Sequence, residues 1–176
     1  MHNEIIGTVM ITGEQIQEKA KEIGRQITED FRGEEIIMVG ILRGAVLWMA
    51  DIMKNVALDM TIDFMAVSSY GAATKTSGVV RINKDLETDI EGRKVIIVED
   101  IVDSGVTLNY LVGYFKSRGA DEIRICSLLD KPEGRRVEID VDYIGFTVDD
   151  RFIVGYGLDY DQRYRNLPYI TYLEQE

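Results

Sequence analysis

Four consecutive apolar residues, Val95 to Val98, run into two carboxylates, Glu99 and Asp100. A loop of Asp103, Ser104, Gly105, Val106 and Thr107 follows, and a helical pattern runs from Leu108 to about Lys116. This stretch constrains the fold more than any other. A short run that is apolar at every position has no side for water, so it reads as a strand buried on both faces in a parallel sheet. Ile36 to Leu42 repeats the design, ending in Arg43 and Gly44 before an apolar helix from Ala45 to about Asn55. Asp59 to Val67, Val79 to Ile82, Ile123 to Leu129 and Val141 to Val148 are further strands, with a polar connection from Asn83 to Arg93. Thr8 to Ile11 is a short strand candidate. Thr12 with Gln15 forms a capping-box pattern ahead of a helix whose Ile16, Ala20, Ile23, Ile27 and Phe31 share one face. The fold class is therefore α/β: a twisted, mostly parallel sheet flanked by helices, with the turns at its carboxyl edge forming a site.

The Asp103–Thr107 loop has the parts of an anion cradle. Amide groups at a helix start carry partial positive charge, Gly105 permits close approach, and Ser104 and Thr107 add hydroxyl donors. No lysine lies in the loop, and the P-loop ending is absent. Glu99 and Asp100 would repel a phosphate unless a divalent cation or sugar hydroxyls intervene. A ligand with a phosphate at one end and a hydroxylated ring at the other, a ribose 5-phosphate, meets both demands. Taken alone, the same residues also suit a plain helix cap behind a solvated strand end.

Other strand exits add candidates. Arg43 and Gly44 follow one buried strand, although an isolated arginine is more often a surface residue. Lys131 follows another, where Pro132 stops the strand. An ammonium has donors and no acceptor, so a lysine facing the site favours a carbonyl oxygen over an amino group. Ser69 and Tyr70 open a small, polar stretch to Gly78 that reads either as a plain surface loop or as a lid that excludes water.

The 176 residues suit one domain, and 45% hydrophobic content suffices for a core. A net charge of −11 disfavours nucleic acid and anionic membrane as partners, and leaves any polyphosphate to be held by a few local cations. Cys126, the one cysteine, lies in an apolar run and reads as core. No run reaches membrane-span length and Met1 to Gly7 shows no signal pattern, so a cytoplasmic enzyme is expected. His2 is the only histidine, which leaves no histidine-dependent nucleophile at a site.

Glu99 to Leu108 resembles the phosphoribosyl-pyrophosphate (PRPP) signature of the type I phosphoribosyltransferases, in the version of the hypoxanthine-guanine enzymes. The likeness extends from about Ile36 to about Pro168 in four segments. It implies a single domain over 1–176, with a core at about 33–150 and a small cap from the terminal segments. It implies transfer of the phosphoribosyl group to N9 of hypoxanthine, guanine or xanthine with loss of pyrophosphate, as purine salvage. By resemblance Glu99, Asp100, Asp103, Ser104, Gly105, Val106 and Thr107 hold PRPP, while Arg43, Gly44 and Arg165 hold pyrophosphate. Ser69 and Tyr70 match the family's mobile loop. Lys131, Phe152, Ile153 and Asp159 take the purine, with Phe152 stacking on it; Glu99, Asp100 and Asp159 take magnesium. Asp103 is the expected general base, within reach of the purine N7 proton. Asp149 stands where the family usually has proline. A homodimer or homotetramer is expected. A transferase for another base, a PRPP-sensing regulator and a phospho-receiver domain are the competing readings.

Overall fold

The computed structural model of the chain describes residues 5–69 and 79–174. Six strands form the main sheet: β2 (Ile36–Leu42), β3 (Met60–Ser69), β4 (Val80–Lys84), β5 (Lys94–Val102), β6 (Glu122–Asp130) and β7 (Tyr143–Thr147). Their spatial order is β4-β3-β2-β5-β6-β7. All neighbours are parallel except β4, which returns antiparallel to β3.

Alternation along the strands decides which helix each residue meets. Ile36, Met38, Ile96 and Val98 pack under α1 (Gly13–Asp30) and α2 (Val46–Met53). Ile37, Val39, Ile41, Val95 and Ile97 pack on the other face, under Leu108, Leu111 and Phe115 of α3 (Val106–Ser117). Both faces are thus covered, which is why these strands are apolar at every position. Cys126 is buried in the first layer, and burial pushes its thiol up to about 12. A second sheet joins β1 (Ile5–Ile11), β9 (Ile170–Glu174) and β8 (Ile153–Val154) in the order β1-β9-β8, all antiparallel. Among the described residues no helix is long and apolar enough to cross a membrane.

Three expectations change. The central strand does not stop at Val98: β5 continues through Glu99 and Asp100 to Val102, because β6 is long enough to pair with it as far as Val102 with Asp130. The acidic pair therefore lies within a buried strand. The helix expected from Ala45 to Asn55 is shorter at both ends, and the strand expected from Val141 begins at Tyr143. β9 has no counterpart in the sequence reading, since its partners β1 and β8 are set by pairing across the chain.

The capping box on α1 is closed in both directions: Gln15 N donates to Thr12 Oγ1 at 3.2 Å, and Thr12 N to Gln15 Oε1 at 2.8 Å. Thr12→Ala should cost about 1 kcal/mol, a fall in Tm of roughly 2–4 °C for a chain of this size, measured by calorimetry.

Candidate active site

The parallel strands end together, and their exits converge. Arg43 and Gly44 leave β2, Asp103 to Gly105 leave β5, Lys131 leaves β6 and residues 148–152 leave β7. Two adjoining cavities lie along this edge. The first, of about 320 Å³, runs from Arg43 and Gly44 past Ser69, Glu99 and Asp100 to the Ser104–Leu108 turn, with Asp159 and Arg165 on its far wall. The second, of about 230 Å³, lies between Lys131, Arg151, Phe152, Ile153 and Leu158. Asp100, Ile101, Asp103 and Asp159 line both, so they stand at the junction.

The first cavity pairs anion-binding backbone with acid. Gly105 caps α3 with φ +79° and no side chain of its own to accept; Val106 N makes a long 3.4 Å bond to Ser104 Oγ, and the cap leaves the next amides of the first helical turn as donors for a ligand. Only glycine fits there, because a Cβ would come within 2.6 Å of Val137 O in a left-handed backbone. Gly44 is needed for a different reason: a Cβ would run into the Asp100 carboxylate. Glu99 is buried and Asp100 partly so. Burial pushes the Glu99 carboxyl well above the usual carboxylate range, and the charge of Asp100 adds to the push. Burial also raises Asp100, while hydrogen bonds and the more distant Arg165 pull the other way. Among the described residues neither carboxylate has an ion pair within 4.0 Å.

That pair is a partial ligand set. No group of three or more His, Cys, Asp or Glu among the described residues is arranged to hold a metal ion. Magnesium takes one or two carboxylates and completes its octahedron with phosphate oxygens and water. The donors therefore fit a cation that arrives with a polyphosphate, and do not form a resident cage. Asp159 is occupied differently from Glu99 and Asp100. Its Oδ1 pairs with Arg165 at 2.9 Å and its Oδ2 accepts from Gln162 N at 2.8 Å.

The arginines are held by one neutral side chain. Gln162 Oε1 accepts from Arg43 Nη1 at 2.9 Å and from Arg165 Nη2 at 3.2 Å, and Arg165 Nη1 also donates to Gly157 O at 2.7 Å. Gln162, at φ +64°, was not anticipated; only its nearness in sequence to Asp159 and Arg165 could have pointed to it. In the second cavity the Lys131 ammonium lies 3.4 Å from Asp103 Oδ2 and 3.2 Å from Asp150 Oδ1. Phe152 is 48% exposed, with its ring edge-on to Tyr160 at 5.4 Å, so one aromatic face is open to a flat ligand. The Ile153 side chain is buried. Asp149 makes an ion pair with Arg151, which lies 4.5 Å over the Tyr172 ring. The expected residues thus meet at one edge, and Ser69 lines the first cavity; Tyr70 and the rest of the expected lid lie outside the described residues.

Comparison with known proteins gives a consistent answer. Residues 12–161 match the family model of the phosphoribosyl transferase domain. The chain is 51% identical over 169 residues to the hypoxanthine-guanine phosphoribosyltransferase of Bacillus subtilis, covering 96% of this chain and 94% of that protein. It is also 51% identical over all 176 residues to the bifunctional protein TilS/HprT of Listeria monocytogenes, of whose length it spans 27%. A crystal structure of a hypoxanthine phosphoribosyltransferase from Staphylococcus aureus superposes with a TM-score of 0.93 at 44% identity, covering 96% of this chain and 92% of that one.

The raised carboxyls give a signed prediction. The folded protein holds protons on Glu99 and Asp100 more tightly than the unfolded chain does, so the pair removes stability as pH rises through the ordinary carboxylate range. Glu99→Gln should therefore raise the Tm of the ligand-free protein at neutral pH. The gain should shrink as the pH falls through about 4 towards about 3, where the carboxyls become protonated in the unfolded chain as well. Thermal scans across pH check both statements.

Proposed function

The chain belongs to the phosphoribosyl transferase family, and we propose that it transfers the 5-phosphoribosyl group of PRPP to N9 of a 6-oxopurine, hypoxanthine or guanine with xanthine a third candidate, releasing pyrophosphate. The observation that carries this reading is the junction of the two cavities. One cavity has the amide turn, the acidic pair and two arginines; the other has Lys131 and the open face of Phe152. A sugar spanning them would place its anomeric carbon beside Asp100, Asp103 and Asp159.

Each group then has a task. The amides and hydroxyls at Ser104 to Thr107 hold the 5′-phosphate. Glu99 and Asp100 accept from the ribose hydroxyls, and their charge favours the oxocarbenium-like ring that forms as the glycosidic bond to pyrophosphate breaks. Arg43 and Arg165 exchange Gln162 for the leaving pyrophosphate. Lys131 donates to the purine O6, and Asp103 accepts the N7 proton as N9 bonds to the sugar. Glu99 and Asp100 would hold magnesium, with Asp159 a third donor once Arg165 turns to pyrophosphate; the ion, when bound, offsets charge on the leaving group. A dimeric or tetrameric assembly in the cytoplasm completes the proposal.

A base panel tests it. With PRPP and magnesium, hypoxanthine and guanine should give nucleotide, adenine and orotate should not, and chelation should abolish turnover. PRPP binding without turnover of any base would turn the reading towards a sensor. Absence of PRPP binding would remove it. Lys131→Ala should raise the KM for hypoxanthine by about tenfold or more, the weight of one charge-assisted hydrogen bond. It should also narrow the preference over adenine; an unchanged base preference would take Lys131 out of base selection.

A further inference from the structure

One half-buried cation near the site lines neither cavity. Arg135 follows the short 3-10 turn Pro132–Gly134, and its side chain is only 19% exposed. Its Nη1 donates to Val102 O at 2.7 Å and to Asp103 O at 2.8 Å, and its Nη2 pairs with Asp130. These partners belong to two chain segments that matter. Val102 ends β5 immediately before Asp103, and Asp130 ends β6 immediately before Lys131. The two ends are paired across the sheet, and Val102 O also accepts from Lys131 N at 2.9 Å.

A guanidinium is a rigid planar fork, so holding three oxygens on two segments fixes those segments relative to each other. Its neighbours complete a buttress behind the Asp103 loop. Ser104 O accepts from Arg136 N at 2.9 Å and from Val137 N at 3.1 Å, and a Cβ on Gly134 would run into the Asp103 carboxylate.

We propose that Arg135 is a positioning residue that sets the spacing between the Asp103 carboxylate and the Lys131 ammonium, so that both reach adjacent atoms, N7 and O6, of one purine. The inference rests on the functional reading above. The observed 3.4 Å between Asp103 Oδ2 and Lys131 Nζ is the product of this brace. Charge alone does not suffice. A lysine has one nitrogen where the guanidinium uses two, Nη1 for the two carbonyls and Nη2 for Asp130, so it cannot hold all three oxygens in this geometry.

The test is a double-mutant cycle of Arg135→Lys with Asp103→Asn. In the wild-type background Arg135→Lys should lower kcat about 100-fold, the cost of misplacing an acting group by ~1 Å. The KM for PRPP should stay within about twofold, since the phosphate turn and arginines are untouched. In the Asp103→Asn background the same substitution should lower kcat less than about threefold, because the group it positions is already disabled. Equal losses in both backgrounds would make Arg135 part of the scaffold only, and an unchanged kcat in Arg135→Lys would end the proposal outright. Wild-type turnover by Asp103→Asn would instead remove the base assignment, and this inference with it. Should Arg135→Lys not fold, Asp130→Asn loosens the same brace from its other end and enters the same cycle with the same expected non-additivity.

Discussion

Two adjacent carboxylates buried at the end of a strand are an electrostatic burden, and the site is arranged around it. Glu99 is buried and Asp100 half-buried in the continuation of β5 along β6, and among the described residues neither has an ion pair within 4.0 Å. A free surface pair would cost the fold almost nothing and bind almost nothing. A buried pair destabilises the empty protein and is relieved by a ligand that brings positive charge or hydroxyl donors. Their position inside a strand also fixes their geometry, so the relief is available only to a ligand that matches it. Gly44 packs against Asp100 from the neighbouring strand exit, which ties the Arg43 turn to the same carboxylate.

The parallel sheet and its strand exits were legible because the signal is local. Val95 to Val98 and Ile36 to Leu42 are apolar at every position, and the alternation of Ile36 and Met38 against Ile37 and Val39 shows why: two helical layers cover two faces. Each polar residue following such a run lies at one edge, so the sequence alone groups Arg43, Asp103 and Lys131. Phe152, Ile153, Asp159 and Arg165 are a different matter. The type of Phe152 alone suggests packing, and it is the family resemblance, not the chemistry, that picks out all four.

What stayed hidden depends on contacts distant in sequence. β9 pairs with β1 across most of the chain, and no periodicity in Ile170 to Glu174 announces that partner. The end of β5 depends on how far β6 runs beside it, so the burial of Glu99 and Asp100 could not be read from either segment alone. Gln162 and Arg135 are polar residues in irregular segments, where composition predicts exposure. Their significance lies in which oxygens or guanidiniums they join, information that exists only once strands 30 and more residues apart are brought together.

The charge balance of the chain fits this picture. On a chain of net charge −11 the overall field opposes the approach of any anion. Its few site cations must act at short range, and each is held in place beforehand. Arg43 and Arg165 share the neutral oxygen of Gln162, Arg165 also pairs with Asp159, and Lys131 lies between Asp103 and Asp150. These three side chains line the cavities, where a ligand can offer stronger, charge-assisted partners in exchange. Arg135 is the contrasting case: it lines neither cavity, and its donors are committed to two carbonyls and one carboxylate. The division between cations that can change partners and one that cannot separates the groups that line the cavities from the group behind them.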